Sequence, residues 1–205
     1  MTRISGHPDD DLLTKLGYGG HPTVAFLNTE GEILGRPLER TVASFAETLT
    51  AIATYAELQK RSAGGEIGLE YEFFMAEYKL MKLRGKNLVA RGRALKGLNV
   101  EQRLEVDRIA IMVEVDDLVL KSMRGGDSLI PLGQRMLEIF SDDRYPNARK
   151  SANAWSVVIR YGEHAKKSHV LVRCAAGLRK NFPDDPAMQR WATSLEAKAK
   201  RMNSR

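Results

Sequence analysis

Cysteine is nearly absent from this chain: Cys174 is the only one. A single thiol forms no intramolecular disulfide, and no Cys-x-x-Cys redox or zinc motif exists. The fold therefore needs no oxidising compartment. Histidine is scarce as well. His7, His21, His164 and His169 show neither His-x-x-x-His nor Glu-x-x-His spacing, and His164 and His169 are expected on different helices, so no metal centre is expected. No Gly-x-x-x-x-Gly-Lys-Ser/Thr phosphate loop is present; the nearest stretch, Arg124-Gly125-Gly126-Asp127-Ser128, reads as a helix–helix loop. Long apolar runs are missing. The richest, Arg108 to Leu120, is broken by Glu114, Asp116 and Asp117, far short of the roughly 18 residues of a membrane span. The stretch Met1 to Asp11 is polar and acidic, with no signal-peptide pattern, so the expectation is cytoplasmic, without a membrane partner. Aromatics make up only 7%. Phe45, Phe73, Phe140 and Trp191 sit on apolar stripes, and no arginine–aromatic alternation suggests a platform for single strands. No cofactor is expected.

What is present is an ordinary globular mixture, 43% apolar and 28% charged over 205 residues, enough for a core and for two modest domains. The net charge of +6 raises the question of nucleic acid. The cations read as mingled with carboxylates through most helices, with a local excess only in the tail, at Lys198, Lys200, Arg201 and Arg205. That is the pattern of a solvated surface, so nucleic acid is not the expected partner.

Along the chain, Asp9-Asp10-Asp11 before Leu12, Leu13 and Leu16 predicts a short capped helix ending at Gly17. Thr23–Leu27, the turn residues Asn28 to Gly31, and Glu32–Gly35 predict a β-hairpin. Phe45, Leu49, Ile52 and Ala56 then repeat at helical spacing, with Ser44 and Glu47 as a capping box. This helix runs to about Arg61, and Gly64-Gly65 marks a domain boundary. Everything beyond reads as helix. A stripe of Leu69, Phe73, Ala76, Leu80 and Leu83 ends near Gly85, and a short helix covers Leu88 to Leu95. Asn99 with Gln102 starts a long helix to about Met123. Further helices are predicted with Leu132, Met136, Leu137 and Phe140, over 148–166, over 169–181, and from Asp184-Asp185-Pro186 onward.

The carboxylate pairs Asp116-Asp117, Asp142-Asp143 and Asp184-Asp185 are read as surface, loop and cap. Neighbours on a helix point about 100° apart and do not converge on a substrate. Cys174, among Val172, Ala175 and Ala176, is read as a buried small hydrophobe.

Two stretches resemble known families. Leu12, Gly17, Gly20, Pro22, Thr23, Phe26, Gly31 and Glu32, followed by a helix, resemble in order and spacing the C-terminal half of thioredoxin. The resemblance implies a cis bond at His21-Pro22 and a peptide-binding backbone at His21, Pro22 and Thr23. It lacks the half that carries the redox cysteines, and without a low-pKa thiolate nothing attacks a disulfide. Farther on, Gly162, Cys174 and Pro186, spaced by twelve residues, with Leu178, are similar to one degenerate tetratricopeptide-like helix pair; Asn181 departs from that motif.

The reading is a mainly α protein: a thioredoxin-like hairpin-plus-helix segment over 1–63, then an all-α repeat-like array over 64–205. The function expected is non-catalytic protein–protein interaction or scaffolding. The partner is a protein, or a second copy through the exposed strand edge. The alternatives are a fragment of a thiol–disulfide oxidoreductase whose Cys-x-x-Cys half lies upstream, and a basic helical nucleic-acid-binding protein.

Overall fold

The computed structural model describes residues 24–124 and 128–204. It is mainly α, with one two-stranded hairpin and eight α-helices among the described residues. The chain divides between Leu98 and Asn99 into two compact units.

In the first unit, β1 (Phe26–Leu27) pairs antiparallel with β2 (Ile33–Gly35). Asn28 closes the turn: its Oδ1 accepts the backbone N–H of Glu30 at 3.1 Å and of Glu32 at 2.7 Å. Gly31 supplies the left-handed step, with φ +83°. The hairpin is where the residues placed it, but the described ladder starts at Phe26, with Val24 and Ala25 outside it.

Helix α1 (Val42–Ala63) corrects two expectations. Its N-cap is Thr41, whose Oγ1 accepts the Ser44 N–H at 3.1 Å; Ser44 lies inside the first turn, and its Oγ accepts the Glu39 N–H at 3.0 Å. The buried face is Ser44, Thr48, Ala51 and Leu58, rotated away from the stripe through Leu49, which is 54% exposed. Gly35 of β2 sits tightest against Leu80: a Cβ there would lie 2.7 Å from Leu80 Cδ2 and 3.5 Å, an ordinary contact, from Thr48 Cγ2. The buried Thr48 hydroxyl is satisfied by the Ser44 carbonyl at 2.7 Å. Phe45 does contribute, meeting Phe26 edge-to-face at 5.9 Å over the hairpin.

The chain turns at Gly64-Gly65, and α2 (Glu70–Lys79) packs back on α1 through Leu58, Leu69 and Ala76. Leu69, Ala76 and Leu80 of the expected stripe are buried; Phe74, at 1% exposure, is more deeply buried than Phe73. Helix α2 stops at Lys79. Gly85, expected to terminate it, instead opens α3 (Gly85–Ala94) with φ +52°. Leu88, Gly92 and Leu95 form the buried side of α3 and its end.

The second unit comprises α4 (Val100–Arg124), α5 (Leu129–Ser141), a 3-10 turn (Pro146–Lys150), α6 (Ala152–His164), α7 (Ser168–Asn181) and α8 (Pro186–Asn203). Its caps follow the sequence. Asn99 Oδ1 accepts the Gln102 N–H at 2.8 Å while Gln102 Oε1 accepts the Asn99 N–H at 3.1 Å, a reciprocal capping box. Asp185 caps α8 through the N–H groups of Ala187 and Met188, with Pro186 at the first helical position. Consecutive helices pack on one another around a single core that includes Met136, Phe140, Trp155, Leu171, Leu178 and Leu195. Burying each such large apolar side chain contributes about 1.5–3 kcal/mol. No helix among the described residues is long and apolar enough to cross a membrane.

Candidate functional site

His21, Pro22 and Thr23, the peptide-binding residues implied by resemblance, lie outside the described residues, as do His7, the predicted Leu12–Leu16 helix, and Gly125, Gly126 and Asp127 of the loop before α5. His164 and His169 are exposed on different helices, α6 and α7. Among the described residues no three His, Cys, Asp or Glu side chains are gathered to hold a metal.

Cys174 is fully buried in α7. Burial pushes its thiol up to about 12, against a smaller opposing pull from Arg173. It is a packing residue, protonated at neutral pH. The carboxylate pairs do not converge. Burial raises Asp116, while Asp117 pairs with Lys121 at 2.7 Å. The Arg144 guanidinium and backbone N–H hold Asp142 below the usual carboxylate range, and Asp143 binds Arg149 at 2.9 Å. These contacts order the loop before the 3-10 turn.

Two features have the shape of binding surfaces. In the first unit a groove of about 820 Å³ runs between α1 and α2, walled by Leu38, Thr48, Ala51, Tyr71, Met75 and Tyr78. The hydroxyls of Thr50 and Thr54, also on its wall, bond to the carbonyls of Ala46 and Thr50 on their own helix, so they are not poised as nucleophiles.

The second feature is the layering of α4 to α8. Alternate helices are joined by side chains. Arg160 Nη1 of α6 donates to the Ser122 carbonyl of α4 at 2.6 Å, and Lys198 Nζ of α8 donates to Glu163 of α6 at 2.6 Å. In the other layer, Arg173 Nη2 of α7 donates to Ser141 Oγ of α5 at 2.8 Å. Buried positions recur between alternate helices, at a different offset for each pair. The caps of α6 and α8, Ser151 and Asp185, are 34 residues apart, and buried Val158 and Tyr161 correspond at that offset to buried Ala192 and Leu195. Helices α5 and α7 correspond at 38 residues: Leu132, Gly133, Met136 and Phe140 match Val170, Leu171, Cys174 and Leu178, all buried. Chemically different residues, such as Met136 and Cys174, fill these corresponding positions.

Positive charge is also concentrated outside the C-terminal tail. The stretch between Glu77 and Glu101 contains Lys79, Lys82, Arg84, Lys86, Arg91, Arg93 and Lys96 and no carboxylate. The local excess is therefore not confined to the C-terminal tail.

No family model matches the chain, and neither a curated protein nor a solved structure shows significant similarity to it.

Proposed function

We propose that this chain is a non-catalytic protein-binding scaffold, and that the layer formed by α4, α6 and α8 receives the partner. The observation that carries this reading is that side chains bridge alternate helices, Arg160 of α6 to the Ser122 carbonyl of α4 and Lys198 of α8 to Glu163 of α6. Stacked helix pairs generate extended surfaces that bind other chains without chemistry. The 34-residue offset between the caps of α6 and α8 equals the usual period of tetratricopeptide pairs, about 34 residues. The thioredoxin-like segment is, in this reading, a second recognition element without redox function.

Peptide display against the full chain tests the proposal. Peptides so selected are expected to bind specifically and to lose at least tenfold in affinity to Ser156→Arg on α6 and Ser194→Arg on α8, residues outside the buried core. Selected peptides indifferent to both substitutions, or no specific peptide from a large library, would reject the surface.

A further inference from the structure

We infer that α3 and its flanking residues form a binding surface for the phosphate backbone of double-stranded nucleic acid. The whole sequence has 32 basic and 26 acidic residues. Setting aside the seven cations of residues 79–96 leaves 25 against 26, so this one stretch holds the entire net positive charge. All seven are exposed.

The fold does not use most of this charge. In the second unit Arg108, Lys121, Arg135, Arg144, Arg149, Arg179 and Lys198 each reach a carboxylate. Around α3, by contrast, Lys79, Lys86, Arg91, Arg93 and Lys96 form no ion pair among the described residues. Lys82 sits over the Tyr55 ring at 4.0 Å. Arg91 and Arg93 complement the negative end of the α3 dipole, but Lys86 lies in its first turn, which has no acidic residue. A cation there opposes the helix dipole and raises the folded-state energy. Like charges crowded without carboxylates repel in the free protein, and a polyanion relieves that repulsion.

The surface chemistry narrows the class of polyanion. No large hydrophobic side chain is exposed between Ile67 and Val100. A helix that enters a bilayer needs an apolar face to bury, and of the Trp, Tyr and Arg that dominate protein hot spots residues 79–96 offer only Arg. The buried side of α3, Leu88 and Gly92, is already packed. Residues 79–96 contain no aromatic on which the bases of a single strand could stack. What remains is a helix about 15 Å long carrying Lys86, Arg91 and Arg93, Arg91 about 140° around the helix from Lys86, a length over which a duplex presents roughly nine phosphates. Lys86 and Arg93, seven residues apart, lie on nearly the same side of α3, with Lys82 and Lys96 extending the charge beyond its ends. Binding of this kind reads backbone charge and not base sequence.

The test uses the full chain, labelled 20-base-pair DNA and RNA duplexes of arbitrary sequence, and fluorescence anisotropy across a salt series. Two variants carry the same charge change. One is K86E/R91E/R93E/K96E; the other is K180E/R190E/K200E/R201E, on α7 and α8. Circular dichroism verifies folding, and K86Q/R91Q/R93Q/K96Q replaces the first variant should it misfold. The expected result is wild-type binding to duplex that weakens steeply with salt. The α3 variant loses at least tenfold at 50 mM salt, with a log–log salt slope shallower by about 3–4. The α7–α8 variant stays within about threefold of wild type. Equal losses in the two variants would reduce the effect to net charge and overturn the inference. So would absence of duplex binding at 50 mM salt, or tighter binding to phosphatidylserine vesicles or polyglutamate than to duplex. Peptide binding by the α4–α6–α8 layer is read separately, so either proposal can fail alone.

Discussion

Gly177 faces the ring of Trp155. A Cβ at that position would lie 2.0 Å from Trp155 Cη2, closer than any real contact. The indole cannot move aside freely, because its Nε1 donates to the Arg149 carbonyl at 2.8 Å and its ring packs on Phe140 at 4.4 Å. Alanine normally favours a helix, but here the clash wins. Gly177→Ala is expected to lower unfolding stability by about 1–3 kcal/mol, read from the urea midpoint. Cys174 gives a pH-dependent prediction. Its thiol is held up to about 12 by burial in the folded chain, whereas an unfolded cysteine titrates near 8.5. Above about pH 8.5 the unfolded state releases a proton that the folded state keeps, so stability falls as pH rises toward 12, by up to roughly 1.4 kcal/mol per unit. Comparing Cys174→Ala with wild type across pH 7–11 isolates this contribution. The variant should lack that part of the slope; identical slopes would contradict it. Native Cys174 should also react far more slowly with a thiol reagent than the same residue in urea.

The helices are marked by their caps. Asn99→Ala removes one half of the reciprocal box that begins α4 and should cost about 1 kcal/mol, with Asp185→Ala on α8 similar. Both effects belong in the chemical-denaturation midpoint. At the hairpin, β1 pairs with β2 and with no other strand among the described residues. An edge of this kind invites another strand. Light scattering at tens of micromolar is expected to show a dimer, and Ala25→Pro, which removes a backbone donor beside β1, should return it to monomer. A monomeric wild type rules out self-pairing. The interior of α1 shows where sequence periodicity misleads. Phe45, Leu49 and Ile52 look like the packing stripe because they are the large apolar residues. The helix instead buries Ser44, Thr48, Ala51 and Leu58, a face that carries Thr48 toward Gly35 of β2 and Leu58 toward Leu69 and Ala76. Hydrophobic spacing carries no information about how near a neighbouring element comes.

Across the molecule, burial is concentrated in α6 and α7. Val157 and Val158 of α6, and Leu171, Cys174 and Leu178 of α7, are fully buried, whereas α3 buries little beyond Leu88 and Gly92. Hydrogen exchange should therefore be slowest in α6 and α7 and fast in α3. Equal protection of α3 and α6 would contradict this ordering. The chain should also be silent in an insulin-reduction assay, since its one thiol is buried and protonated. Turnover that depends on Cys174 would overturn that expectation.

Local sequence was enough to place the helices and the caps of α4 and α8, though not the cap of α1. These depend on contacts within one or two turns, as at Asn99 with Gln102 or Asp185 with Pro186. It also determined that Cys174 would be buried, because a thiol flanked by small apolar residues in a helix has few other uses. The carboxylate-free stretch of residues 79–96 was legible too, from counting alone, but counting did not show that its side chains stay exposed and that most lack ion pairs. Tertiary packing settled which face of α1 is buried, that α2 and α3 stay with α1, and that buried positions of α6 and α8 recur 34 residues apart and those of α5 and α7 recur 38 apart. The physical reason is common to all three. Each depends on the separation between elements distant in sequence, and that separation is set by packing volume, which different residues fill equally well.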